Sequence, residues 1–155
     1  MRPHLEFAAP AWSPSTVEEK EKLENVQKKA VAMVSGLKGR TYEEKLRELD
    51  LQSLEDRRAD MDMVQVYKIM NRVDNVRRET WFTTTAESSL RETRASSDPT
   101  HLDIKRTRTE LRRQFFSMRV VEKWNALPRE TRESRTLSQF KKSQRDCWKL
   151  AALVN

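Results

Sequence analysis

The chain has 155 residues, of which 35% are charged and 36% are hydrophobic, and only two are glycine. This length allows one domain or two small helical lobes, and the scarcity of glycine disfavours sandwiches and barrels, which need many tight turns. The single cysteine, Cys147, excludes an internal disulfide. Because no apolar run approaches the length of a bilayer span and no signal segment is apparent, we expect no membrane association and a cytosolic or nuclear location.

The net charge of +7 is concentrated in the last third of the chain. Residues 1–50 contain nine Lys/Arg and nine Asp/Glu, residues 51–100 contain eight and nine, and residues 101–155 contain fourteen and six. The excess is densest between Lys105 and Arg119. A localised basic block of this kind is suited to neutralising a polyanion.

The first predicted helix covers residues 16–35. Thr16 and Glu19 have the spacing of a capping box, and Gly36 and Gly39 end the apolar pattern that follows.

Two further helices are predicted before residue 71. Thr41 and Glu44 repeat the capping box before a short helix, and Ser53 is expected to cap a longer one. The longer helix has two apolar stripes, which indicates a central position: one contains Ala59, Met63, Val66, Tyr67 and Met70, the other Leu54, Met61 and Val64.

The stretch "TTTAESSLRETRASSDPT", residues 83–100, is rich in Ser and Thr and has no apolar period, which is typical of a linker or a partly disordered loop. The alternation from Leu102 to Arg108 suggests a short strand or hairpin. We therefore predict a mainly α fold with a helical lobe over residues 1–75, a linker or mobile loop over 76–102 and a basic C-terminal helical lobe over 103–155.

Helix is predicted to resume near Leu111, to stop at Asn125–Pro128, and to begin again at Thr136 with Gln139 as its capping partner. Phe116, Val120 and Trp124 recur at every fourth position, so we expect them in the core of the second lobe, with Trp124 against Phe116 and Phe140. The alternative is that Phe116 and Trp124 stand on an open face and stack on bases. The basic side chains of this helix are expected to project away from the stripe: Arg112, Arg119 and Lys123.

The basic block supplies the candidate phosphate contacts, although a solvated face without a ligand would look the same from periodicity alone. These candidates are Lys105, Arg106, Arg108, Arg112, Arg113 and Arg119, with Lys28 and Lys29 as a weaker second choice.

Catalytic and metal-binding patterns are weak. His4 and His101 have no partner at metal-ligand spacing, and Asp60 and Asp62 lie two apart in a predicted helix, where they cannot share a face. Cys147 lies far from any histidine and is expected to be a small core residue. The sequence has no Gly-rich phosphate loop. We predict no catalytic residues, no metal and no cofactor.

Four segments, in order along the chain, carry a family resemblance that spans nearly its whole length. They are "RPHLEFAAPAWSP", "EKLENVQKKAVAMVSGLKGRTYEEKLRELDLQSLEDRRADMDMVQVYKIMN", "RRQFFSMRVVEKWNALP" and "TLSQFKKSQRDCW". The sequence resembles the C-terminal part of reverse transcriptases from non-LTR retrotransposons of the jockey and chicken-repeat type. The resemblance implies thumb-like helices up to about Asn71, followed by the region downstream of the polymerase.

The resemblance also implies a fragment of an RNA-directed DNA polymerase that lacks the catalytic palm, because Met1 corresponds to mid-chain in that family. Neither the Tyr-x-Asp-Asp signature of the palm nor an upstream endonuclease segment occurs in this sequence, so we expect no enzymatic activity. The expected partner is the backbone of RNA or DNA, bound weakly and without sequence preference. Two alternatives stay open: a helical module that binds a protein through an apolar face, and a vestigial product without selected function.

Overall fold

The structure is a computed structural model that describes residues 5–89 and 97–154, with side chains up to Trp148. His4 and part of the Ser/Thr-rich stretch therefore lie outside the described residues. Within them, helices predominate and no strand forms, which confirms the predicted mainly α fold. None of the described helices is both long and apolar enough to cross a bilayer.

The chain divides into two compact units, Met1–Met61 and Asp62–Asn155. The predicted lobes, residues 1–75 and 103–155, have a different boundary. The division falls inside a helix because side chains after Met61 belong to the core of the second unit.

The first unit begins with two capped helices. In α1 (Val17–Ala32) the Thr16 side chain accepts a hydrogen bond from the Glu19 amide at 3.2 Å, and the Glu19 carboxylate accepts one from the Thr16 amide at 3.3 Å. The helix α2 (Tyr42–Glu48) starts with the same reciprocal pair at Thr41. Both predicted capping boxes are confirmed.

The turn after α1 depends on two glycines. Gly36 and Gly39 have φ values of +88° and +84°, a region in which an L side chain is strained. The helix ends at Ala32, slightly before the predicted Ser35, and the chain then turns toward α2.

The helix α3 (Leu54–Met70) starts in the first unit. The hydroxyl of Ser53 accepts a hydrogen bond from the Asp56 amide at 3.1 Å, which confirms the predicted cap. The division between the two units follows Met61.

Glu24 connects the helices of the first unit. Its carboxylate accepts hydrogen bonds from the Leu54 amide, at 3.0 and 3.3 Å, and from the Tyr42 hydroxyl. The neighbouring amide of Gln27 donates to the Tyr42 oxygen at 3.0 Å and to the Gln52 carbonyl at 2.9 Å. These bonds hold the start of α3 and the start of α2 against α1.

The second unit has an aromatic core. Trp124 and Phe140 are fully buried with ring centroids 5.9 Å apart, and Tyr67 stacks on Phe140 at 4.5 Å. This arrangement confirms that Trp124 packs against Phe140. The other buried apolar side chains of this core are Met63, Val66, Ile69, Phe82, Leu102, Phe116, Val120, Val121 and Leu127.

Two short helices lie in the predicted linker, residues 76–102. They are α4 (Arg78–Trp81) and α5 (Thr85–Ser88), the second of which starts with a capping box between Thr84 and Glu87. The stretch also places Phe82 and Thr84 in the interior. The described part of this segment therefore contains two short helices and side chains that are buried in the interior.

The helix expected from Leu111 to Asn125 consists of three short helices. They are α6 (Glu110–Arg113), α7 (Phe116–Arg119) and α8 (Val121–Ala126), followed by α9 (Arg129–Arg132) and α10 (Leu137–Val154). Phe115 interrupts the series because its backbone is extended, with φ −60° and ψ 143°. The Thr136 hydroxyl accepts from the Gln139 amide at 3.2 Å, which confirms the predicted start of α10.

The strand expected from Leu102 to Arg108 does not form. Leu102 makes one isolated antiparallel bridge with Thr84, and the Asp103 amide donates to the Thr83 carbonyl at 2.9 Å. The pairing stops there because Ile104, the next apolar residue of the alternation, is exposed and provides no buried face.

Candidate nucleic-acid interface

The residues between Leu102 and Phe116 carry most of the predicted phosphate contacts. We call residues 104–115 the basic segment; it has five Lys/Arg and one Glu. All of its residues are exposed except Thr107 and Gln114, which are half-buried. Leu102 and Phe116 are both buried in the core of the second unit. The basic segment therefore runs over the surface between two fixed points, Leu102 before it and Phe116 after it.

The side chain of Asn125 holds Leu102, the first fixed point. Its side chain accepts a hydrogen bond from the Leu102 amide at 2.9 Å and donates one to the Leu102 carbonyl at 2.8 Å. Both backbone groups of Leu102 are therefore satisfied by one side chain of α8. This pairing fixes where the basic segment leaves the core.

A buried ion pair supports the residues just before this point. Arg132 donates to the Asp98 carboxylate at 2.8 Å and to the Thr100 hydroxyl at 3.0 Å, and the indole of Trp124 donates to the Thr100 carbonyl at 2.8 Å. Burial acts to raise the pKa of Asp98, but the hydrogen bonds from Thr100 and the Arg132 guanidinium outweigh it and lower this pKa below the ordinary 3.8.

The second fixed point, Phe116, comes shortly after the short helix α6. The Thr109 hydroxyl accepts from the Arg112 amide at 3.3 Å, and Arg113 forms an exposed ion pair with Glu110 at 2.8 Å. The backbone is extended at Phe115, and the side chain of the next residue, Phe116, is buried in the core.

The cations of the basic segment differ in their surroundings. Lys105, Arg106 and Arg108 are exposed and form no ion pair with any residue in the part of the chain that the structure describes. The guanidinium of Arg112 lies 5.5 Å from the centroid of the Phe115 ring, a cation–π contact that leaves its charge unneutralised. Arg113 shares its charge with Glu110.

Arg119 differs from the other predicted contacts. Its guanidinium donates to both carboxylate oxygens of Asp62, at 3.0 and 2.9 Å, and to the Gln114 carbonyl at 3.1 Å. Both side chains of the ion pair are largely buried. Burial raises the pKa of the Asp62 carboxyl, and the contact with Arg119 acts in the opposite direction. The expectation that Arg119 projects away from the packed face is therefore wrong, because a carboxylate on α3 holds it there.

The aromatic residues are also divided between core and surface. Phe116 is 7% exposed and Trp124 is 0% exposed, so the expectation that both are core residues is confirmed. Phe115, which was not among the predicted contacts, is 54% exposed. The two phenylalanines are adjacent in sequence, and the break between α6 and α7, which periodicity does not reveal, turns one of them to solvent.

The other predicted candidates lie elsewhere. Cys147 is a half-buried free thiol, 3.7 Å from the Thr131 hydroxyl, and His101 shares a 2.8 Å hydrogen bond with the Thr85 hydroxyl. In the first unit, Lys28 lies 5.4 Å above the Tyr42 ring, and Lys29 is exposed.

No group of three or more His, Cys, Asp or Glu side chains within residues 5–89 and 97–148 is placed to hold a metal.

The chain was compared with protein-family models, with curated proteins and with solved structures. None of these comparisons finds a match.

Proposed function

We propose that the basic segment binds the phosphate backbone of RNA or DNA without reading its sequence. The proposal depends on one observation: Lys105, Arg106, Arg108 and Arg112 are exposed, unneutralised cations on a surface segment that is fixed at both ends. Backbone contacts by such cations displace counterions from the polyanion and carry no base information.

Two members of the predicted set contribute less to this proposal. Arg119 would have to leave a largely buried carboxylate to reach a phosphate, which would strand the Asp62 charge. Arg113 shares its charge with Glu110, so its binding to a phosphate would leave an acidic side chain beside the polyanion. The proposed contacts are therefore the first four cations, with Arg113 as a reserve.

The resemblance gives this binding a context. We propose that the chain derives from the C-terminal part of an RNA-directed DNA polymerase of a non-LTR retrotransposon, in which such a region would hold a template and primer by their backbones. Nucleotidyl transfer would need clustered carboxylates for two magnesium ions, and the Tyr-x-Asp-Asp sequence that supplies them in the family does not occur in this chain. Any activity of the chain itself would then be binding.

The test compares two variants with the same loss of charge. In the first, Lys105, Arg106, Arg108 and Arg112 are replaced by glutamine. In the second, four cations that already have ion-pair partners are replaced instead: Lys20, Lys22, Arg40 and Arg129. Binding to a fluorescent duplex is measured by anisotropy at several salt concentrations, at physiological salt and below.

We expect the first variant to lose most of the affinity and most of the salt dependence, because each lost contact flattens the slope by about 0.9 units of log affinity against log salt. The second variant should stay close to wild type. Equal losses would indicate a diffuse cationic effect, and absence of wild-type binding at physiological salt would refute the proposal.

A second candidate function has its own observation. Ile104, Leu111 and Phe115 are exposed apolar residues of the same basic segment, which favours an interaction module that binds a protein through apolar contacts. Apolar docking should weaken little with salt or should strengthen, whereas phosphate binding weakens steeply. A steep loss of duplex binding with salt therefore supports the first candidate, and absence of duplex binding leaves the second.

A further inference from the structure

Phe115 is an exposed aromatic residue in the midst of the exposed cations. Its side chain is 54% exposed, whereas that of Phe116, the next residue, is 7% exposed. The difference follows from the backbone: Phe115 is extended and precedes α7, and Phe116 starts that helix and enters the core. Its ring stacks on no other aromatic ring in the described residues, while Phe116 contacts both Phe82 and Trp81 edge-on.

We propose that Phe115 stacks on an unpaired base, so that the basic segment binds single-stranded nucleic acid through both its backbone and one base. This inference rests on the proposed function, since it assumes that the neighbouring cations contact phosphates. A nucleotide joins a flat base to a phosphate, and the protein presents a flat ring with a guanidinium over one face, Arg112 lying 5.5 Å from the centroid of Phe115. The base would stack on the opposite face of the ring.

Charge complementarity favours a nucleic-acid strand over an apolar protein surface at this position. The basic segment, which ends at Phe115, includes Arg108, Arg112 and Arg113, with Glu110 as its one acidic residue. An apolar partner would have to desolvate these cations, whereas a strand would pair them with phosphates. Stacking is tolerant of sequence because every base has a π face, so the inference keeps the binding independent of sequence.

Trp81 is a second exposed aromatic side chain of this unit, but its surroundings differ. It is 40% exposed and packs edge-on against Phe116 at 6.0 Å between centroids, so part of its surface completes the core. None of the four cation–π contacts in the described residues involves Trp81. Phe115 therefore has the better placement for a base.

The experiment uses two single strands with the same backbone charge. One is a fluorescent oligothymidylate, and the other is a strand of equal length in which every sugar lacks its base. Wild-type protein should bind the thymidylate about tenfold more tightly, the lower part of the range that loss of one stacked base produces. The ratio of the two affinities should be unchanged by salt, because both strands release the same counterions.

The variant Phe115→Ala should remove this tenfold preference and leave binding to the abasic strand unchanged. Phe115→Trp should keep it, since indole also stacks. Leu111→Ala is the matched control, because Leu111 is a 76% exposed apolar residue of the same segment that has no ring. Circular dichroism of each variant checks that the fold is kept.

The outcomes distinguish this inference from the proposed function. If wild type binds both strands equally, or if Phe115→Ala weakens both by the same factor, the stacking inference is refuted and backbone binding stands. A wild-type protein that binds neither strand at physiological salt would refute both.

Discussion

Trp124 should be the side chain on which the second unit depends most. It is fully buried, packs against Phe140 at 5.9 Å between ring centroids, and its indole donates a 2.8 Å hydrogen bond to the Thr100 carbonyl. The change Trp124→Ala removes the ring from the core and also removes the donor for a carbonyl of the segment that precedes the basic residues.

The expected loss of stability has two parts. Truncating a buried tryptophan to alanine costs about 3 to 5 kcal/mol in lost burial and residual cavity. The unpaired Thr100 carbonyl adds about 1 kcal/mol. A total of about 5 kcal/mol equals the whole free energy of unfolding of a marginal domain, so we expect roughly half of the molecules of this variant to have an unfolded second unit at room temperature.

Hydrogen exchange of peptides from α8 and α10, combined with urea unfolding, measures this loss within the second unit. Trp124→Phe separates the two parts, because it keeps most of the ring but removes the donor, and should cost roughly 1 to 2 kcal/mol. Leu111→Ala, at an exposed site, should change the free energy of unfolding by less than about 0.5 kcal/mol. A loss below about 1 kcal/mol for Trp124→Ala would show that the ring is not a core residue.

Two ion pairs of the second unit lead to further predictions. Arg119→Gln should destabilise the unit, since it leaves the carboxylate of Asp62 largely buried without its cation, yet it should leave affinity for duplex DNA nearly unchanged. Asp98→Asn should lower the free energy of unfolding of the unit at pH 7, and its difference from wild type should shrink as the pH falls below about 4. The pKa of Asp98 is lower in the folded state than its unfolded value of 3.8, so the ionised group contributes stability above 3.8. That contribution is lost as the pH falls through the folded pKa.

Urea midpoints measured at several pH values check the Asp98 prediction, and a difference from wild type that does not shrink as the pH falls below 3.8 would contradict it. For Arg119, unfolding and anisotropy are measured on one preparation. A loss of affinity in a variant of unchanged stability would place Arg119 on the nucleic acid and would contradict its assignment to Asp62.

The features that the sequence predicted well are local ones. The capping boxes at Thr16 and Thr41 need only two side chains three residues apart, and the core position of Trp124 follows from apolar periodicity over two helical turns. Thr84 and Glu87 carry the same capping signal. It was not recognised because the stretch around it has no apolar period.

The features that could not be predicted depend on distant residues or on a backbone break. Asp62 lies 57 positions before Arg119, so no local pattern indicates that this arginine is held in the packed unit. A continuous helix would have placed Phe115 and Phe116 in one regular series. The extended backbone at Phe115 instead separates a surface ring from a core ring, and a reading based on a single helical period cannot detect it.

The number of exposed cations without an ion-pair partner sets the salt dependence that we expect for binding to DNA. On duplex DNA, each phosphate contact contributes about 0.9 to the slope of log affinity against log salt, so all six predicted cations would give a slope of roughly −5.4 and the four unneutralised ones roughly −3.6. Because Arg119 is held by a buried carboxylate and Arg113 by Glu110, we expect the shallower value for the wild-type chain. Arg119→Gln and Arg113→Gln should then leave the slope unchanged, while Arg108→Gln should reduce its magnitude by about 0.9. A wild-type slope near −5.4 would mean that both arginines leave their carboxylate partners when the polyanion binds, and the ion pair with Asp62 would then be part of the binding equilibrium.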